Sequence, residues 1–264
     1  MRNDVELFQE AETKKQIDGP LARLAKHEIN PKTNASAHTK KIMDYQFNKE
    51  VNIPVKGARL SGQLSIPFGS RGVIIFSHGS GSSRKSPRNQ YVAERLEKKK
   101  IGTLLLDLLT LPEASQYENR FDIDLLSTRL AGATEWLLGL SEMQHSNIGF
   151  FGASTGAASA LKVASFMPEI QAVVSRGGRP DLVMDDLPNV LAPTLLIVGS
   201  LDHNVLKLNR QAYSQLGGVK SLEIIEGATH LFEERGMIEK VTELAADWFT
   251  KYLQPVPVIR KHIL

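Results

Sequence analysis

Three side-chain types in this chain, Ser, His and Asp, can together carry out nucleophilic acyl transfer, and each occurs in a suitable setting. Gly152-Ala153-Ser154-Thr155-Gly156 follows an apolar run and opens a small-residue segment. A G-x-S-x-G pattern between a strand and a helix is a nucleophile elbow. The sharp turn lifts the Ser hydroxyl onto a tip, and glycines stand where a Cβ would strike a neighbour. The helix start leaves backbone N–H groups available to a developing oxyanion. A serine hydroxyl at neutral pH needs a base. His230, in Glu226-Gly-Ala-Thr-His230, is the candidate, and Asp202, in Gly199-Ser-Leu-Asp202, can orient the imidazole and stabilise its charged form. Plainer roles exist for each: Ser154 as a helix N-cap, His230 as an incidental loop residue, Asp202 as the cap of a helix beginning near Val205. Asp181, Asp185 and Asp186 are fallback acids. The order Ser154, Asp202, His230 favours the catalytic reading.

Arginines add a second theme. Arg84, Lys85 and Arg88 follow the turn Ser77-His78-Gly79-Ser80-Gly81, and Arg176 and Arg179 stand in Ser175-Arg-Gly-Gly-Arg-Pro180. Guanidinium groups grip carboxylates or phosphates, so Arg84, Arg88, Arg176 and Arg179 are candidate contacts for an anionic substrate. The competing role is ion pairing with local acids such as Asp181, Asp185, Asp186 or Glu233.

The elements that must position these residues are legible in the hydrophobic pattern. Val51, Ile53 and Val55 alternate with polar residues, Lys56-Gly57 turns the chain, and Leu60, Leu64 and Ile66 continue at even spacing, which predicts an antiparallel hairpin. Residues 72–76, 102–106, 148–151, 172–174, 194–198 and 222–225 are largely unbroken apolar runs. Such runs mark strands buried on both faces. Helical periodicity fills the gaps at 90–100, 122–140, 155–166, 205–216 and 238–253. The fold class is therefore α/β: a mainly parallel, doubly wound sheet with helices on both faces, preceded by the hairpin. In such sheets ligands bind beyond the carboxyl ends of the strands, where all the residues above fall.

These motifs and their order resemble the α/β-hydrolases over about residues 49–253, carried by the elbow, Asp202, His230 and the His78-Gly79 turn. The short stretch between Val174 and Thr194 leaves no room for a large lid, so the chain is most similar to the compact dienelactone-hydrolase-like group. It departs from the dienelactone hydrolases proper, which use a Cys nucleophile, because Ser154 stands here and the chain has no Cys. The resemblance implies an oxyanion hole from the Thr155 and Ser80 N–H groups, with His78 as a structural hydrogen-bonding residue. It implies a serine ester hydrolase acting on a small or medium acyl substrate. Acyltransferase, thioesterase or amidase chemistry is open on the same residues, as is a non-catalytic binding protein on this fold.

The chain has 264 residues, 42% hydrophobic and 23% charged, with net charge +3. Those values suit one globular domain and exclude wholesale disorder. The absence of cysteine excludes a disulfide scaffold, a thiolate metal site and a Cys nucleophile. The expectation is a cytoplasmic enzyme with a small-molecule substrate, no metal or cofactor, and no nucleic-acid or membrane partner. The basic stretch Arg84–Lys100 lacks aromatic interleaving and matches no nucleic-acid module. The expected organisation is an extension over 1–46, helical or partly mobile, a catalytic domain over 47–254 and a tail over 255–264.

Overall fold

The computed structural model describes residues 43–143 and 146–253. Most of the expected extension, residues 1–42, and the tail over 255–264 lie outside the described residues.

The hairpin forms as β1 (Tyr45–Val55) and β2 (Ala58–Pro67), antiparallel about Lys56-Gly57, with Gly57 at φ 74°. The first strand begins at Tyr45, ahead of the even spacing noted from Val51. Tyr45 pairs with Pro67 of β2, and its hydroxyl donates to Glu97 Oε2 at 2.7 Å. Six further strands are β3 (Gly72–Ser77), β4 (Gly102–Leu106), β5 (Asn147–Ala153), β6 (Ile170–Arg176), β7 (Thr194–Gly199) and β8 (Lys220–Ile225). They form an eight-stranded open sheet in the order β1-β2-β4-β3-β5-β6-β7-β8. Strand β2 is antiparallel to both β1 and β4, and every later pairing is parallel.

Helices α1 (Pro87–Lys98), α2 (Leu111–Ser115), α3 (Ile123–Leu138), α4 (Thr155–Ala164), α5 (His203–Gln215) and α6 (Met237–Tyr252) cover the two faces. One core joins Ile75, Phe150, Val173 and Leu196 to Leu130 of α3, Leu161 of α4 and Ala212 of α5. The other joins Ile74, Phe151, Val174 and Ile197 to Leu96 of α1 and Phe249 of α6. Adjacent residues of one strand thus feed opposite cores, which is why their sequence runs show no polar alternation.

Two details differ from the sequence expectation. Helix α1 starts at Pro87 rather than residue 90, because proline lacks only an N–H that the first turn leaves unbonded anyway. Helix α2 was not expected. Its signal was Thr110-x-x-Glu113, whose side chains form a reciprocal capping box. Between β6 and β7 the chain makes only two short 3-10 turns, Pro180–Val183 and Leu187–Asn189, so no lid covers the carboxyl edge there. No helix among the described residues is long and apolar enough to cross a membrane.

Candidate active site

Ser154 stands between β5 and α4 with φ 49° and ψ −124°. A non-glycine residue pays about 1–3 kcal/mol for such a conformation, so its surroundings must impose it. They do so from three sides. The Ser154 N–H donates to Arg176 O at 3.3 Å, and its carbonyl accepts the N–H of Ala157 and of Arg179, each at 3.1 Å. The glycines of the elbow are obligatory: a Cβ on Gly152 would lie 2.5 Å from Ala157 Cα, and one on Gly156 would lie 2.1 Å from Ser77 O. The Ser154 side chain makes no capping bond to α4, so it is not there as a helix cap.

Asp202 and His230 come from the turns after β7 and β8. His230 Nδ1 and Asp202 Oδ2 are 2.6 Å apart, with both side chains largely buried. Asp202 precedes α5, yet its carboxylate makes no capping bond; it faces the imidazole instead. Asp181, the first fallback acid, is held by Arg179 through two bonds of 2.8 Å. The two turns are tied together by the Gly227 N–H to Ser200 Oγ at 2.9 Å and the Leu201 N–H to Ala228 O at 3.0 Å. Thr229 donates from both N and Oγ1 to Glu234 Oε1, bracing the histidine loop from within.

Residues 176–179 connect the pair to the elbow. Arg176 is the register partner of Ala153, and its carbonyl takes the Ser154 N–H. The next residue, Gly177, underlies the histidine: the position of a Cβ there is 3.4 Å from His230 Nδ1. This role of Ser175-Arg-Gly-Gly-Arg-Pro180 was missed from sequence, where only its arginines drew attention. Its paired glycines beyond a buried strand were the available signal.

The loop after β3 closes the other side. The position of a Cβ on Gly79 lies 2.9 Å from Ser154 Cβ. The Ser80 N–H donates to Thr155 Oγ1 at 3.1 Å, so two residues expected at the oxyanion hole are in contact. His78 is a structural group: Nε2 accepts the Leu108 N–H at 3.2 Å, which leaves Nδ1 to donate to Gly79 O at 3.0 Å. Burial lowers its pKa and keeps it neutral.

The four candidate arginines do not share one fate. Arg84 lies 3.6 Å from both Asp107 and Glu50, Arg88 bonds Glu233 at 2.5 Å, and Arg179 holds Asp181. For these three the ion-pair role foreseen as the competing one is what the structure contains. Arg176 is different: it is only 8% exposed, and its Nε and Nη1 make no hydrogen bond among the described residues. Among the described residues no group of three or more His, Asp or Glu side chains is placed to hold a metal ion. A concavity of about 900 Å³ lined by Val55, Asp124, Trp136, Lys162 and Phe166 lies away from Ser154, Asp202 and His230.

An open sheet of this order, with a serine elbow after β5 and an Asp–His pair after β7 and β8, defines an α/β-hydrolase. The chain belongs to the dienelactone hydrolase family within that class: it is 50% identical to the dienelactone hydrolase of Anabaena variabilis, with 80% of this chain covering 100% of that one at a TM-score of 0.77. The esterase Est1E of Butyrivibrio proteoclasticus shares the fold at 17% identity and TM-score 0.66, over 76% of this chain and 98% of that one. A Pyrococcus furiosus esterase does so at 20% identity and TM-score 0.65, over 80% and 92%. The family described as BAAT / Acyl-CoA thioester hydrolase C terminal matches residues 130–233. A Mycobacterium tuberculosis protein named "Putative phosphoribosyl transferase" is 49% identical over 208 residues, which are 78% of this chain and 47% of that protein. The chain thus spans about half the length of that curated relative.

Proposed function

We propose that this protein is a serine hydrolase that cleaves carboxylic esters of small or medium acyl groups through an acyl-enzyme. The observation that supports this most is the 2.6 Å Asp202–His230 pair, tied through residues 176–177 to a strained Ser154 that caps no helix. With Nδ1 occupied by Asp202, His230 would use Nε2 to remove the Ser154 proton as Oγ attacks the ester carbonyl carbon. The resulting oxyanion would be met by the Thr155 N–H and by the Ser80 N–H, the latter exchanging its bond to Thr155 Oγ1 for one to substrate. His230 would then return the proton to the departing alkoxide. In the second half it would deprotonate water, which attacks the acyl carbon, and the acid leaves as Ser154 recovers its proton. Each step uses groups of this chain and water.

A second reading, thioester hydrolysis, has its own support, because the matched segment 130–233 of the thioester hydrolase family contains Ser154, Asp202 and His230. The two differ only in the leaving atom, so matched oxygen and sulfur esters separate them.

The test is fluorophosphonate labelling followed by a panel of such esters. Wild-type protein should label at Ser154, and Ser154→Ala should lose both the label and about 10⁴-fold or more of turnover while melting normally. Turnover by Ser154→Ala close to wild type would overturn the mechanism.

A further inference from the structure

Helix α5 begins directly after Asp202 and, further along, touches the turn that supports Ser154 and His230. Its buried residues are Val205, Leu206, Asn209 and Ala212. Positions 205, 209 and 212 recur at helical spacing, as the stripe that a helix turns toward its core does. Asn209 is the polar member of that stripe and is fully buried. It lies seven residues after Asp202, two turns and about 10 Å along the axis.

The Asn209 amide reaches outside its own helix. Nδ2 donates to Val205 O at 2.8 Å, one turn back, and to Gly178 O at 2.9 Å, 31 positions away in the chain. Two carbonyls fix the orientation of the amide, because only its NH2 group can meet both. Oδ1 then makes no hydrogen bond among the described residues. A buried acceptor without a partner is destabilising, and an apolar side chain of similar volume would avoid it. Packing alone therefore favours a different residue here. What the asparagine supplies is the bond to Gly178.

Gly178 stands in the turn on which the two catalytic loops rest. Before it, Arg176 O accepts the Ser154 N–H, and Gly177 lies under His230. After it, the Arg179 N–H donates to Ser154 O. Gly178 is also hemmed in: a Cβ there would lie 2.0 Å from Ser175 Oγ and 2.7 Å from Cβ of Ala157 on α4. It is thus packed against the helix that follows the nucleophile and tied to the helix that follows the acid.

We propose that Asn209 is a positioning residue for the hydrolytic reaction: by holding Gly178 O it fixes turn 176–179, and through that turn Ser154 and His230, relative to the helix that starts at Asp202. This rests on the serine-hydrolase reading above and deepens it. Asn209 acts through the turn and not on substrate. A misplacement of about 1 Å between reacting groups costs about 10²-fold in rate. Loss of the tie therefore falls on the chemical step and spares substrate affinity.

The experiment measures kcat, KM and melting temperature from about pH 6 to 9 for wild type, Asn209→Leu and Asn209→Asp, on the best ester of the panel. Leucine fills a similar space with no donor. Its kcat per folded molecule should fall about 10- to 100-fold, with KM within about threefold. Aspartate differs from asparagine by one group and can donate to Gly178 O only while protonated, a state that burial favours. Its kcat should therefore fall as pH rises, where wild type keeps the plateau set by neutral His230. An asparagine needed only for folding would lower the melting temperature and leave kcat per folded molecule, and its pH profile, unchanged. That result in either variant would overturn the proposal. The near-isosteric aspartate carries the test should the leucine variant not fold. Crystal structures of the two variants, the aspartate one at the upper pH, separate this role from the hydrolase reading. Turn 176–179 should be displaced, with the Ser154 N–H to Arg176 O bond lengthened, whatever ester is turned over. An unmoved turn would overturn the positioning role and leave the hydrolase reading standing, whereas failure of that reading shows in wild type as an unlabelled Ser154.

Discussion

Asp202 shows how one residue's role is decided by where its bonding capacity goes. By position it could cap α5, but its carboxylate makes no capping bond and lies 2.6 Å from His230 Nδ1. Asp202→Asn should therefore leave the melting temperature nearly unchanged while lowering kcat by about 10²- to 10⁴-fold, because an amide can favour the wrong imidazole tautomer. Thermal melts and steady-state kinetics on the same preparation check this; a large loss of stability with little loss of kcat would return Asp202 to a structural role. The order Ser154, Asp202, His230 was readable because each residue follows a recognisable apolar run. Ion pairing of these arginines was readable as a competing role, with Asp181 two positions from Arg179, but which acid takes Arg88 was not, since Arg88 and Glu233 lie 145 positions apart and meet only through the fold. Arg176 stands out only against that background, as the one candidate arginine with no ion pair to an acid among the described residues.

At the scale of elements, His78 joins two loops that border the site. Its Nε2 accepts the Leu108 N–H beyond β4, and its Nδ1 donates to Gly79 O beyond β3. Protonation would destroy the acceptor, and burial already opposes the charge, so the folded pKa lies below the ordinary 6.5. Below that ordinary value the unfolded chain binds a proton that the folded chain refuses. His78 therefore contributes its full stability above about pH 6.5, and that contribution falls as pH drops toward the folded value. Urea unfolding at pH 7.5 and 5.5 should show a loss of stability on acidification that shrinks in His78→Gln; an unchanged pH difference would count against the linkage. Elements β3 to β7 were legible because both their faces are buried, which writes them as apolar runs. Helix α2 was legible only through its Thr110 and Glu113 cap, and the start of β1 at Tyr45 shows only in its pairing with the end of β2.

At the scale of the molecule, the parts of the proposed active site are spread across most of the sheet. The loop after β3, the elbow after β5, the Ser175–Arg179 turn after β6 and the Asp202 turn after β7 all rest on interior strands, but His230 follows β8, which among the described residues pairs with β7 alone. Most of β8 is only half-buried, whereas β5 is buried throughout. Outer, less buried units open at lower free energy than the centre of a domain. Amide hydrogens of residues 220–230 should accordingly exchange faster than those of β5. In rising urea, hydrolysis should fail at a lower concentration than the far-ultraviolet signal. Coincident midpoints would show that β8 opens only with the whole sheet. If the edge does open first, the working range of the enzyme is bounded by detachment of one strand rather than by melting of its core. Engineering for heat tolerance would then gain more from fastening β8 to β7 than from repacking either hydrophobic centre.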